Sequence, residues 1–253
     1  MNDLVSTLQK FGQLGDRGLH RELEARASQQ WPTIVIEGKS YLNFCSNDYL
    51  GMSNNPRVLR RIKAELNTFG FGAGGAALLT GRSTLHSELE TNLSEFTGFE
   101  SALLYSSGYL ANLGAIGALV GRKDLVFHDR FNHASLIDAV LATRCKHKRY
   151  PHLSVPTLKS GMKVNSNLFV ITESVFSMDG DTISTKALSD FCADQKATLY
   201  IDDAHGFGVT GKGRGIAAEL LKLVQPSSNF LVMVTLGKAL GASGGVVFGS
   251  KQI

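Results

Sequence analysis

The sequence is poor in the features that mark several protein classes. It has three cysteines, Cys45, Cys145 and Cys192, an odd number with no Cys-x-x-Cys spacing. That argues against a disulfide framework and a structural zinc site, and for a reducing compartment. Five prolines form no Pro-rich linker. The longest apolar stretch, around Ala111 to Val120, is far too short to span a membrane. The N-terminus carries Asp3 and lacks the apolar core of a signal peptide. A cytoplasmic protein is the expectation. Charge of one sign is also lacking: 26 Lys and Arg against 22 Asp and Glu leave a net +4. The densest basic cluster, Arg144-Cys145-Lys146-His147-Lys148-Arg149, reads as a solvated strand edge rather than a nucleic-acid patch. There are no internal repeats.

What is present suits a large core. Hydrophobic content is 43% and charged content 19%, with 27 glycines, over 253 residues; disorder is not expected. Residues 1–45 read as an N-terminal arm, with helical spacing at Leu4, Leu8 and Phe11, followed by a hairpin turning at Glu37-Gly38. Asn55-Pro56 opens a helix that Gly70 stops, and Leu85, Leu89, Leu93 and Phe96 mark a second one ending at Gly98. From residue 100 the rhythm becomes strand, turn, helix. Apolar strands at 102–105, 125–127, 168–172, 198–201, 230–235 and 245–248 alternate with helices after Ser107, His133 and Ser184. Residues 46–253 are thus expected to form an α/β domain with a mostly parallel, doubly wound sheet and helices on both faces.

In such sheets ligands bind beyond the carboxyl ends of the strands. Lys238 stands there, just past the strand Phe230–Thr235, with Gly237 and Gly241 on either side. An amine in a poorly hydrated pocket has a lowered pKa, which favours imine formation with a carbonyl. By itself Lys238 is most simply a solvated loop lysine, so the argument rests on the set around it. A lysine enzyme of the pyridoxal phosphate type needs an acid for the pyridine nitrogen, and Asp202 at a strand end suits that. His205 can reach the ring's phenolic oxygen, and His133, at a helix start, can stack on the ring. Ser107-Gly108-Tyr109 supplies a helix start for the phosphate and Thr235 a hydroxyl. Each has an ordinary reading as a cap or loop residue; together they form an ordered set.

Three glycine-rich matches point elsewhere and fail on context. Gly70-x-Gly72-x-x-Gly75 follows a helix, where a dinucleotide fingerprint needs a strand. Gly206 to Lys212 lacks the Ser or Thr of a P-loop, having Gly213 instead. Gly241 to Gly245 fits a nucleophile elbow, but the preceding strand ends too early.

Asp202-Asp203-Ala204-His205-Gly206 and Thr235-Leu236-Gly237-Lys238-Ala239-Leu240-Gly241 closely resemble the α-oxoamine synthases, pyridoxal phosphate enzymes of the aspartate aminotransferase fold. Ser46-Asn47-Asp48-Tyr49-Leu50-Gly51, Asn132-His133-Ala134-Ser135 and Val175-Phe176-Ser177-Met178-Asp179-Gly180-Asp181 match as well. The resemblance runs from about Arg21 onward. It implies Lys238 as the Schiff-base lysine and proton-transfer base, Asp202 on the pyridine nitrogen, His205 on the ring oxygen and His133 stacked on the ring. It implies Gly108, Tyr109 and Thr235 for the phosphate, Ser177 in the cofactor environment, and Asn47, His133 and Arg21 facing substrate, Arg21 as a carboxylate clamp. No metal is implied. The implied reaction, in a homodimer, is decarboxylative condensation of L-alanine with a pimeloyl thioester of coenzyme A or a carrier protein. The alternatives are another α-oxoamine synthase, such as a glycine-using 2-amino-3-ketobutyrate ligase, or an inactive subunit. Family members continue through a smaller C-terminal domain, which this chain is expected to lack.

Overall fold

The structure is a computed structural model describing residues 13, 18, 23–156, 167–223 and 229–252. Arg21 and the helical spacing at Leu4, Leu8 and Phe11 lie outside the described residues. The chain divides into two compact units, Met1–Cys45 and Ser46–Ile253.

In the first unit β1 (Thr33–Ile36) and β2 (Lys39–Leu42) form an antiparallel hairpin. Its two turn residues, Glu37 and Gly38, both have positive φ, 48° and 74°. That is the turn whose twist matches paired strands. An isolated bridge from Arg26 to Ile36 extends the pairing.

The second unit is built on a seven-stranded sheet in the order β3-β9-β8-β7-β6-β4-β5. The strands are β3 (Ser101–Tyr105), β4 (Leu125–Asp129), β5 (Lys146–Tyr150), β6 (Leu168–Glu173), β7 (Thr198–Asp202), β8 (Phe230–Thr235) and β9 (Gly245–Gly249). Strands β5, β4, β6, β7 and β8 are mutually parallel, and β9 runs antiparallel to both β8 and β3. The exception has a cause: residues 236–244 between β8 and β9 contain no crossover helix, and without one a strand returns antiparallel. The basic segment after Arg144 is the edge strand β5, where charge hinders pairing with another chain.

Helices cover both faces. On one, α2 (Thr84–Thr97), α5 (Thr185–Gln195) and α6 (Ala217–Leu223) pack Leu93, Leu188 and Leu220 over Val170, Leu199, Val232 and Phe248. On the other, α3 (Gly108–Leu119) and α4 (Ala134–Thr143) pack Ala115, Ile116, Leu136 and Val140 over Val126, Ile171 and Met233. β6 is buried throughout and β7 and β8 at all but terminal positions, as a sheet covered on both sides requires. By contrast α1 (Pro56–Phe69) has no buried residue, although Leu59, Ile62, Leu66 and Phe69 keep helical spacing. Helix α6, only seven residues long, lacked a sequence signal. Among the described residues no helix is long and apolar enough to cross a membrane.

Candidate active site

The carboxyl ends of β4, β6, β7 and β8 share one edge of the sheet, because these strands are parallel. β7 ends in Asp202, β8 in Thr235 and β6 in Glu173. β4 leads through Asn132 to His133, which caps α4. Lys238 follows β8 and His205 follows β7. Lys238, His205, Asp202, His133 and Thr235, all candidates from the sequence, are therefore brought to one edge, and Gly108 packs against Thr235.

Lys238 Nζ lies 2.7 Å from His205 Nε2, and His205 Nδ1 lies 2.7 Å from Tyr49 Oη. Tyr49 Oη in turn donates to Asn47 Oδ1 at 3.3 Å. The sequence Lys238, His205, Tyr49, Asn47 has one consistent direction when the imidazole is neutral with its proton on Nδ1. Burial, then the neighbouring Lys238 and His133, push His205 down to about 4. It is thus neutral at pH 7. Burial also lowers the Lys238 pKa, against the opposing pull of Asp202 and Glu173.

Asp202 is 5% exposed. Its Oδ1 accepts from Ala204 N at 3.0 Å and its Oδ2 from Asn112 Nδ2 at 2.8 Å. Burial raises its pKa; the Asn112 and Ala204 hydrogen bonds and the charges of Lys238 and His133 oppose that. Beside it in register stands Glu173, held up at about 7 by burial and by Asp202. Glu173 Oε1 accepts from His133 N at 2.5 Å. His133 Nδ1 accepts from Ser135 N at 3.2 Å and meets Ser135 Oγ at 2.8 Å. The ring stands edge-on to Tyr109 with 6.5 Å between centroids.

Ser107 caps α3, its Oγ accepting from Leu110 N at 3.2 Å. A helix start leaves its first N–H groups, here those of Gly108 and Tyr109, without intrahelical acceptors, and these attract anions. Thr235 sits against that start: a Cβ on Gly108 would lie 3.3 Å from Thr235 Cβ. The Thr235 hydroxyl accepts from Gly237 N and donates to Gly244 O, both at 3.2 Å, so it also fixes the turn that carries Lys238. Gly245 is required here, because a Cβ would come within 2.6 Å of Ser107 O.

Two further residues were assigned from sequence. Ser177 is exposed on the loop after β6, and none of these hydrogen bonds reaches it. Arg21 lies outside the described residues. Asn112, Tyr200 and Ser135 were missed, although Asn112 carried a signal as the one amide in the apolar helix Gly108–Leu119.

The donor set fits pyridoxal phosphate. Asp202 offers a buried carboxylate for a basic ring nitrogen, the α3 start offers N–H groups for a phosphate, and Lys238 offers an amine of lowered pKa for a carbonyl. Among the described residues no group of three or more His, Cys, Asp or Glu suits a metal ion.

Comparison with known proteins agrees. The chain is 42% identical over 248 residues to 8-amino-7-oxononanoate synthase of Nitrosomonas eutropha, an alignment covering 97% of this chain and 63% of that protein. It spans about 59–63% of the length of the curated relatives it matches. Serine palmitoyltransferase from S. paucimobilis, solved with a bound pyridoxal phosphate–myriocin aldimine, superposes with a TM-score of 0.86 at 29% identity, over 97% of this chain and 62% of that one. 8-Amino-7-oxononanoate synthase from Francisella tularensis gives a TM-score of 0.68 at 28% identity, over 83% and 58%. Residues 39–253 match the family described as aminotransferase class I and II, and the chain belongs to that family.

Proposed function

We propose that this chain acts in 8-amino-7-oxononanoate synthesis, in which L-alanine and a pimeloyl thioester give 8-amino-7-oxononanoate, the free thiol and carbon dioxide. Pyridoxal phosphate is the cofactor of the family. The observation that carries the reading is Lys238: a half-buried amine beside a neutral His205, on the same sheet edge as the buried Asp202. The 42–44% identity to curated 8-amino-7-oxononanoate synthases supports this synthase.

When bound, the cofactor supplies a carbonyl for amines and an electron sink for charge developing on the neighbouring carbon. The residues of the chain do the rest. Asp202 keeps the ring nitrogen protonated, and His133 covers one face of the ring. His205, held neutral, presents Nε2 to the phenolic oxygen. The N–H groups of Gly108 and Tyr109 hold the phosphate with Thr235. Lys238 takes the proton from the alanine Cα and returns it. Asn47 faces the substrate, as does Arg21, whose guanidinium clamps a carboxylate. The family resemblance alone supports Ser177 in the cofactor environment.

A second copy of the chain is its partner. Phe71, Leu78 and Leu79, 84–100% exposed, and the uncovered face of α1 support that pairing. The three cysteines are free, in keeping with the cytoplasm.

The test is thiol and carbon dioxide release with pyridoxal phosphate, pimeloyl-coenzyme A and either L-alanine, glycine or L-serine. Turnover with L-alanine is expected. Turnover only with glycine or L-serine would assign another α-oxoamine synthase, and bound cofactor without turnover would mark an inactive subunit.

A further inference from the structure

The acid expected to face the cofactor ring is not held by the strand that carries it. Asn112, on α3 and 1% exposed, spends its whole side-chain amide on three partners. Its Nδ2 donates to Asp202 Oδ2 at 2.8 Å and to Ser135 Oγ at 2.9 Å, while its Oδ1 accepts from Tyr200 Oη at 2.9 Å. Both amide protons and the carbonyl are engaged, so the group cannot rotate without breaking all three bonds. Its orientation is fixed by charge as well: a carboxylate accepts only, so the NH2 end must face Asp202. Ser135 Oγ, which accepts from Asn112, meets His133 Nδ1 at 2.8 Å. One buried amide therefore joins the acid and the stacking histidine.

We propose that Asn112 is the positioning residue of the ring-binding acid: anchored by Tyr200 and Ser135, it turns Asp202 toward the cofactor nitrogen and keeps that carboxylate ionised. The inference rests on the pyridoxal phosphate reading of the site. Electrostatics support it, since burial favours the neutral form of Asp202 and the Asn112 hydrogen bond is the largest influence opposing burial. Tyr200 cannot substitute, as its one hydroxyl proton is already donated to Asn112 Oδ1. Without Asn112 a proton shared between Asp202 and the ring moves toward Asp202, leaving the ring nitrogen neutral and the electron sink weakened.

The test loads the chain with pyridoxal phosphate isotopically labelled at the ring nitrogen. It follows that nitrogen's NMR shift with pH, beside cofactor affinity. In the wild-type chain the protonated nitrogen signal is expected across neutral pH. In Asn112→Leu the signal moves toward the neutral form, and affinity falls about tenfold or more, the scale of a hydrogen bond to a charged group. Asn112→Asp, which sets a second carboxylate against Asp202, moves it in the same direction. Tyr200→Phe keeps the amide and removes one anchor, so it serves where Asn112→Leu fails to fold; a smaller shift of the same sign is expected. A purely structural amide would lower stability and leave the nitrogen signal of every folded variant unchanged, which would overturn the inference alone. A wild-type chain that binds no cofactor would overturn the site reading and this inference with it.

Discussion

The side chains of Lys238 and His205 are in direct contact, with 2.7 Å between Nζ and Nε2, and the lysine charge helps to keep the imidazole neutral. Burial, then the nearby Lys238 charge, push His205 down to about 4, so the amine donates and the imidazole accepts. Tyr49 completes the arrangement by receiving the proton on His205 Nδ1, which keeps Nε2 free as the acceptor.

Tyr49→Phe removes that receiver. The Nε2–H tautomer then gains population and opposes the Lys238 ammonium, so the Lys238 pKa drops further. The pH dependence of the rate at which pyridoxal phosphate develops a visible band reports it. The midpoint should move to lower pH in the variant, and an unchanged midpoint would show that Tyr49 has no hold on the tautomer.

Glu173 makes stability fall as pH rises. Burial, then Asp202, lift it from 4.5 to about 7, so the folded state binds a proton that the unfolded state releases. Its contribution is fully present below the unfolded value and is lost as pH rises through the folded one. His128 and His205, both pushed down to about 4, have the opposite sign, so the effect must be read as a difference between variants. Glu173→Gln should exceed wild type in stability at pH 8 by up to about 3 kcal/mol, with the gain vanishing near pH 4. Denaturant melts of the cofactor-free chain at both pH values check this; an equal difference at the two would contradict the assignment.

Asp203 fastens the loop that carries His205. Its carboxylate accepts from Ser174 Oγ and, at 2.8 Å, from Ile216 N, and a Cβ on Gly206 or Gly215 would run into it. Burial lifts its pKa to about 7. Asp203→Asn, with one acceptor oxygen in place of two, should lose about 1–3 kcal/mol in equilibrium melts. Gly215→Ala should lose at least as much, since φ there is +60° and the space is taken. A neutral Gly215→Ala would mean that the loop is not clamped.

Much of this was legible in sequence. Strands such as Leu199-Tyr200-Ile201 and Val232-Met233-Val234 are apolar because both faces are covered, and the polar residue ending each one falls on the ligand edge. Lys238, Asp202 and His205 follow from that rule with little further information. The antiparallel β9 was hidden because its strand pattern is the same in either direction, and only the missing crossover helix tells them apart. Asn112 was hidden for a different reason. Its partners are 23 to 90 residues away in sequence, and only the packing of α3 on the sheet brings them to one amide.

The central claim is that Lys238 is the amine that captures the cofactor carbonyl. The most direct measurement is borohydride reduction of the chain after incubation with pyridoxal phosphate, followed by peptide mapping. The account predicts a visible band before reduction and one labelled peptide, containing Lys238, with no label in Lys238→Ala. Label spread over surface lysines such as Lys186 or Lys251, or undiminished in Lys238→Ala, would contradict it.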